Sequence, residues 1–88
     1  MENIIQKQWE EKDDKLYKAI IFKDFQEAFG FVVRVAFLAE KHNHHPKWCN
    51  EYNKVELWLC THDAGHTVTD KDMEMAKAID ELLVDLRL

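Results

Sequence analysis

One proline and two glycines occur in 88 residues. A chain so poor in both has no Pro- or Gly-rich linker. It also shows no repeat and no low-complexity run, so one domain over residues 1–88 is expected. Cysteine is confined to Cys49 and Cys60, which excludes the disulfide framework of small secreted domains and fits two free thiols in a reducing compartment. No apolar run reaches the roughly 18 residues of a membrane span. The polar stretch 1–10 lacks a signal-peptide apolar region, so a cytoplasmic location is expected. Basic residues are outnumbered, 12 Lys and Arg against 17 Asp and Glu, for a net charge of -5. Nucleic acid backbones and anionic membranes are bound by clustered Lys and Arg, so neither is expected as a direct partner.

What is present is an ordinary soluble composition, 47% hydrophobic and 33% charged. A chain of this length buries only about 60–65% of its unfolded surface, and self-association is a reasonable expectation. Residues 9–12 and 15–22 read as two strands around an Asp13-Asp14 turn, with Leu16, Ile20 and Phe22 on the core face and Lys18 interrupting it. Asp24 is a helix N-cap with Glu27 at capping-box spacing. The stripe Phe25, Ala28, Phe29, Val32, Val35, Ala36 and Ala39 continues that helix, which should end near 42–43 ahead of Pro46. Residues 48–52 and 55–61 read as a hairpin around Asn53-Lys54. Parity puts Trp48, Tyr52, Val55, Leu57 and Leu59 on its core face, and Cys49, Trp58 and Cys60 on the other. Thr69 opens a last helix, with Asp72 three residues on and a stripe of Ala76, Ile79, Leu82, Leu83 and Leu86. The expected fold is therefore α+β: a four-stranded, mostly antiparallel sheet with two helices on one face, in the order β-β-α-β-β-α.

All five histidines fall between positions 42 and 66, at or just past the ends of these elements. Imidazole both gives and takes protons near neutrality. Composition leaves three readings open: exposed loop histidines without a role, a zinc site, or an acid–base site. Spacing is unhelpful to zinc, because His44 and His45 are adjacent, no His pair lies at i, i+4 on a helix, and there is no CxxC.

The run Glu40-Lys41-His42-Asn43-His44-His45-Pro46-Lys47-Trp48 is followed by Tyr52-Asn53-Lys54-Val55 and Leu59-Cys60-Thr61-His62-Asp63-Ala64-Gly65. Together they resemble the pterin-4a-carbinolamine dehydratases. Trp9 and the segment Phe22-x-Asp24-Phe25-x-x-Ala28-x-x-Phe31 fit the same pattern, so the resemblance covers residues 9 to about 83. Its most specific part is His-His-Pro combined with Thr-His. By position, His44, His45 and His62 match the family's active-site histidines, and Asp72 matches its active-site acid. Glu40, Thr61, Asp63 and Ala64 match substrate-binding positions, and Pro46, which aims the His pair, goes with them. The interval from His62 to Asp72 is one residue longer than in the typical form and contains His66.

The resemblance implies dehydration of a 4a-hydroxytetrahydropterin to a quinonoid dihydropterin, in tetrahydrobiopterin recycling. In that reaction the C4a hydroxyl needs a proton and N5 must lose one, while the ring nitrogen lone pair expels the leaving group. Two placed imidazoles are sufficient, so no cofactor and no metal are expected. His44 and His62 are the expected pair, with the assignment of acid and base open, and His45 is expected to orient the substrate. His42 and His66 match no family position. A homodimer or homotetramer is expected. Two other functions remain open: a protein-interaction module acting as a transcriptional coactivator, as for some animal members, and a His-rich metal-binding protein. Structural roles compete at several positions: Asp72 as a helix-cap carboxylate, Glu40 as a surface residue, Trp48 and Tyr52 as packing residues, and both cysteines as inert.

Overall fold

The computed structural model of the chain describes residues 5, 6 and 8–86. Its elements are β1 (Ile5–Gln6), β2 (Glu10–Lys12), β3 (Lys15–Ile21), α1 (Phe25–His42), β4 (Lys47–Glu51), β5 (Lys54–Leu59), a 3-10 turn at His62–Ala64, and α2 (Asp70–Leu86). Every strand pairing is antiparallel. β1 and β2 both pair with β3, so the sheet is four strands across and its first edge strand comes in two pieces. The arrangement is the expected β-β-α-β-β-α sheet with both helices over one face.

β3 alternates half-buried and buried residues along its whole length, the period-2 signature of a sheet with one covered face. Leu16 and Ile20 on β3 join Val55, Leu57 and Leu59 on β5, and the helices add Phe31, Val35, Met75, Ile79 and Leu83. The odd member of that face is Lys18, only 3% exposed. Its ammonium lies 2.8 Å from Asp80 of α2 and over the ring of Trp9, whose indole N–H also donates to Asp80 at 2.9 Å. A core-facing lysine is tolerated because its charge has a partner at the rim of the core.

Three local details differ from the periodicity reading. The turn of the second hairpin is Tyr52-Asn53, with Glu51 opposite Lys54, one residue earlier than expected. The Asn50 amide donates to the carbonyls of Tyr52 and Lys54, and Asn53 exchanges bonds with the backbone of Phe22. Those side-chain ties select the register. The shift leaves the faces as read, because it moves both strands by one, but Tyr52 becomes an exposed turn residue and Trp48 stays partly exposed. On α1 the buried stripe is centred on Ala28, Phe31, Val32, Val35 and Ala39, while Phe25 and Phe29 stack on each other in solvent. On α2, Met75 joins the core and the side chain of Leu86 lies outside the described residues.

Both helix starts are built as the sequence predicts. The Asp24 carboxylate accepts from the backbone N–H of Glu27 at 2.9 Å. α1 then ends at Asn43, which adopts the left-handed conformation (φ 52) that asparagine tolerates. This turn, followed by Pro46, swings His44 inward and leaves His45 outside.

Candidate active site

The site lies where the end of α1, the end of β5 and the start of α2 meet. Asp72 is its anchor. Three residues into the α2 start, the Asp72 carboxylate accepts the backbone N–H of Thr69 at 2.8 Å, the reciprocal half of a capping box. It does more than cap. Its side chain is 0% exposed and also accepts from Thr61 Oγ1 at 2.7 Å and from His44 Nε2 at 2.5 Å. Burial pushes the Asp72 pKa up, but the hydrogen bonds from His44, Thr69 and Thr61, with the attraction of the His44 ring, hold it below the ordinary 3.8. Asp72 is therefore an ionised, acceptor-only group at neutral pH.

That assignment fixes its neighbours. Thr61 gives its hydroxyl proton to Asp72, so at 2.6 Å the Thr69 hydroxyl donates to Thr61. His44 must donate from Nε2, which leaves Nδ1 as its free ring nitrogen. His44 is 8% exposed. A nearly buried imidazole bonded to a buried carboxylate is held in one orientation and one tautomer, and any positive charge it takes up is stabilised by its partner.

His44, His45, His62, Thr61, Asn43 and Lys71 line one cleft of about 200 Å³. The structure thus brings together three histidines from two segments, one at the α1 exit and one in the 3-10 turn after β5. His45 is exposed and its Nε2 lies 3.5 Å from the Glu40 carboxylate. His62 is exposed, and its Nδ1 lies 2.9 Å from Nδ1 of His66 with the two rings edge to face. Glu40, Pro46 and Ala64 are outside the cleft lining, although Glu40 touches it through His45. The side chain of Asp63 lies outside the described residues. His42 lies in a different hollow, between α1 and α2. That hollow and another beside the start of α1 are larger, about 440 and 330 Å³. Neither is lined by any of the buried polar side chains Lys18, His44, Thr61 and Asp72. A cleft built on a buried, fully bonded polar network is the better candidate for chemistry.

Three residues, Asn43, Lys71 and Cys60, escaped the sequence reading. Lys71 and Asn43 line the cleft, the first because it precedes Asp72 on the opening turn of α2, the second because it forms the C-cap. Their adjacency to Asp72 and His44 was the available signal. Cys60, His62 and His66 also come together, with one donor atom from each mutually within 4.8 Å. His62 and His66 are four apart, across a turn rather than along a helix, a spacing that helix periodicity does not flag.

A family model described as pterin 4 alpha carbinolamine dehydratase matches residues 1–82. A protein of Rhodopseudomonas palustris (strain BisB18), named "Putative pterin-4-alpha-carbinolamine dehydratase", is 49% identical over 73 residues, covering 83% of this chain and 71% of that one. A protein of the same name from Bradyrhizobium sp. (strain ORS 278) is 50% identical over 76 residues, 84% of this chain and 75% of its own. A crystal structure described as a transcriptional coactivator/pterin dehydratase from Brucella melitensis superposes with a TM-score of 0.79 at 38% identity, covering 86% of this chain and 82% of that one. The chain belongs to the pterin-4-alpha-carbinolamine dehydratase family.

Proposed function

We propose that this protein removes water from a 4a-hydroxytetrahydropterin by histidine acid–base catalysis, serving tetrahydrobiopterin recycling. The observation that carries the reading is a cleft lined by three imidazoles, one of them clamped by a buried, ionised carboxylate. In this reading His44 is the base. Its Nε2 is committed to Asp72, so Nδ1 takes the N5 proton, and Asp72 stabilises the imidazolium that results. His62, exposed to water, is the acid: as imidazolium it protonates the departing C4a hydroxyl and is recharged from solvent. N5 then forms a double bond to C4a as water leaves, which balances the reaction without a co-reactant. His45, steadied by Glu40, contacts the substrate rim beside Thr61, and the family resemblance adds Pro46, Asp63 and Ala64 to the substrate side. At about 200 Å³ the cleft is smaller than the roughly 300–1,000 Å³ pockets of drug-sized ligands. A flat bicyclic ring therefore lies partly open to solvent.

The whole chain acts as one domain in this proposal, in the cytoplasm, as a homodimer or homotetramer. Support for assembly comes from the uncovered sheet face, where half-buried Trp58 packs on Tyr17 at 5.4 Å and under Lys47, beside exposed Cys49. Light scattering should return a multiple of 10.5 kDa; a monomer at micromolar concentration would remove that part. A second reading, a dimerisation module acting as a coactivator, is favoured by the description of the Brucella structure. The decisive test is spectrophotometric: formation of quinonoid dihydropterin from a 4a-carbinolamine must run well above the uncatalysed rate. A purified, folded protein that adds nothing to that rate would leave only the second reading.

A further inference from the structure

We propose that Cys60, His62 and His66 form a reversible binding site for a borderline divalent cation of the zinc type, and that its occupation switches His62 off. The site is assembled by the loop after β5. Thr61 N–H bonds to the Thr67 carbonyl, His66 N–H to the Thr61 carbonyl, and Gly65 N–H to the His62 carbonyl. Gly65 (φ 79) and His66 (φ 63) are both left-handed. For the glycine this is free, but for histidine it is an uncommon backbone state, here fixed by the flanking hydrogen bonds. The consequence is that the His66 ring folds back onto the His62 ring, Nδ1 to Nδ1 at 2.9 Å, with the Cys60 thiol near both.

Two imidazoles and a thiol are the donor set that zinc prefers over magnesium or calcium. Tetrahedral zinc, with bonds of about 2.0–2.1 Å to nitrogen and 2.3 Å to sulfur, spaces its donors roughly 3.3–3.6 Å apart. The three donors already lie within 4.8 Å of one another, so side-chain rotation of two exposed rings and a half-buried cysteine closes the shell. The cation displaces the proton shared by the two Nδ1 atoms, which is taken up at Nε2 of the ring that carried it, and the thiol proton, the one proton released to solvent. Water takes the fourth position.

The effect on His62 follows from valence and rests on the acid–base reading above. A ring coordinated through Nδ1 keeps its only proton on Nε2 and cannot become an imidazolium, so it can no longer supply the proton that the leaving hydroxyl requires. The cation is thus an inhibitor, not a cofactor: the metal-free protein is the active form.

The test uses chelator-treated full-length protein, kept reduced, titrated with Co²⁺ and with Zn²⁺. Binding of one Co²⁺ per chain with a thiolate-to-cobalt charge-transfer band and tetrahedral d–d bands is expected. Cys60→Ser should abolish the charge-transfer band, and His66→Ala should weaken affinity at least tenfold. Cys49→Ser and His45→Ala should bind as wild type. Zn²⁺ should lower turnover at least tenfold, reversibly with chelator, and Cys60→Ser should turn over normally but escape that inhibition. Absence of the charge-transfer band, or equal Zn²⁺ affinity in wild type, Cys60→Ser and His66→Ala, overturns the site. A cobalt spectrum of the expected kind in a protein with no dehydratase activity would leave the cation site standing and reject the catalytic reading. Dehydratase activity that Zn²⁺ inhibits equally in Cys60→Ser would do the reverse.

Discussion

His44 and Asp72, 28 residues apart, meet ring nitrogen to carboxylate at 2.5 Å, with His44 8% exposed and Asp72 not exposed at all. The same carboxylate caps α2 through Thr69 and ties down the end of β5 through Thr61. The group that orients the His44 ring is therefore also a junction of the fold, and deleting it would disturb the fold and the proposed site together.

Asp72→Ala should consequently damage both. Removing one partner from a buried, bonded pair costs about 3–5 kcal/mol, a large share of the total for a small domain. Asp72→Asn keeps an acceptor for His44 but turns an amide donor toward Thr61 and Thr69, which are donors themselves. It should lose about 1–3 kcal/mol and, still folded, lower kcat more than it raises KM. Urea unfolding and steady-state kinetics on the two variants check this; an Asp72→Asn protein with wild-type kcat would contradict the role given to the pair.

The pH dependence of stability follows from the sign of the Asp72 shift. Its folded pKa lies below its ordinary 3.8, so the unfolded state binds the proton more readily. The stabilisation is fully present above about pH 4–5 and fades as pH falls through 3.8 toward the lower folded value. Urea midpoints measured from pH 6 down to 3 should fall for wild type and fall less for Asp72→Asn. Parallel curves for the two proteins would argue against an ionised Asp72.

Lys18 and Asp80 form a second polar contact, buried on the lysine side only, and it should behave asymmetrically. Asp80→Ala leaves the nearly buried Lys18 ammonium without its carboxylate and takes the acceptor from Trp9. Since Asp80 is itself 42% exposed, the loss should be about 1–3 kcal/mol, less than for a fully buried pair. Lys18→Met, which replaces the cation by an apolar chain of similar length, should cost less than Asp80→Ala. Chemical denaturation of both variants tests the order; Lys18→Met as the worse of the two would reverse the assignment of Asp80 as the partner.

The sequence made the sheet and both caps legible, each for a physical reason, while the choice of His44, His45 and His62 rested on the family resemblance. β3 and β5 alternate cleanly because one face is covered, and Asp24 and Thr69 announce helices because capping is local chemistry. What periodicity could not reach were contacts set by tertiary packing. Phe31 rather than Phe29 faces the core because the stripe is centred by the sheet beneath it. Tyr52-Asn53 is the turn, held by the Asn50 amide on the carbonyls of Tyr52 and Lys54 and by Asn53 on the backbone of Phe22. The double role of Asp72 was readable only in part: its spacing from Thr69 signals a cap, while His44 and Thr61 arrive from distant segments. The His62–His66 contact depends on two left-handed residues in succession, and a histidine at positive φ is not something residue type announces.

The most direct test of the account is kcat for the single variants His44→Ala, His62→Ala, His45→Ala and His42→Ala with a 4a-carbinolamine, metal-free, each checked for folding. His44→Ala and His62→Ala should each lose roughly 10²–10⁴-fold in kcat. His45→Ala should act mainly on KM. His42→Ala, whose ring lies in another hollow, should match wild type. A folded His44→Ala or His62→Ala protein with wild-type kcat, or a His42→Ala protein as impaired as either, would contradict the proposed site.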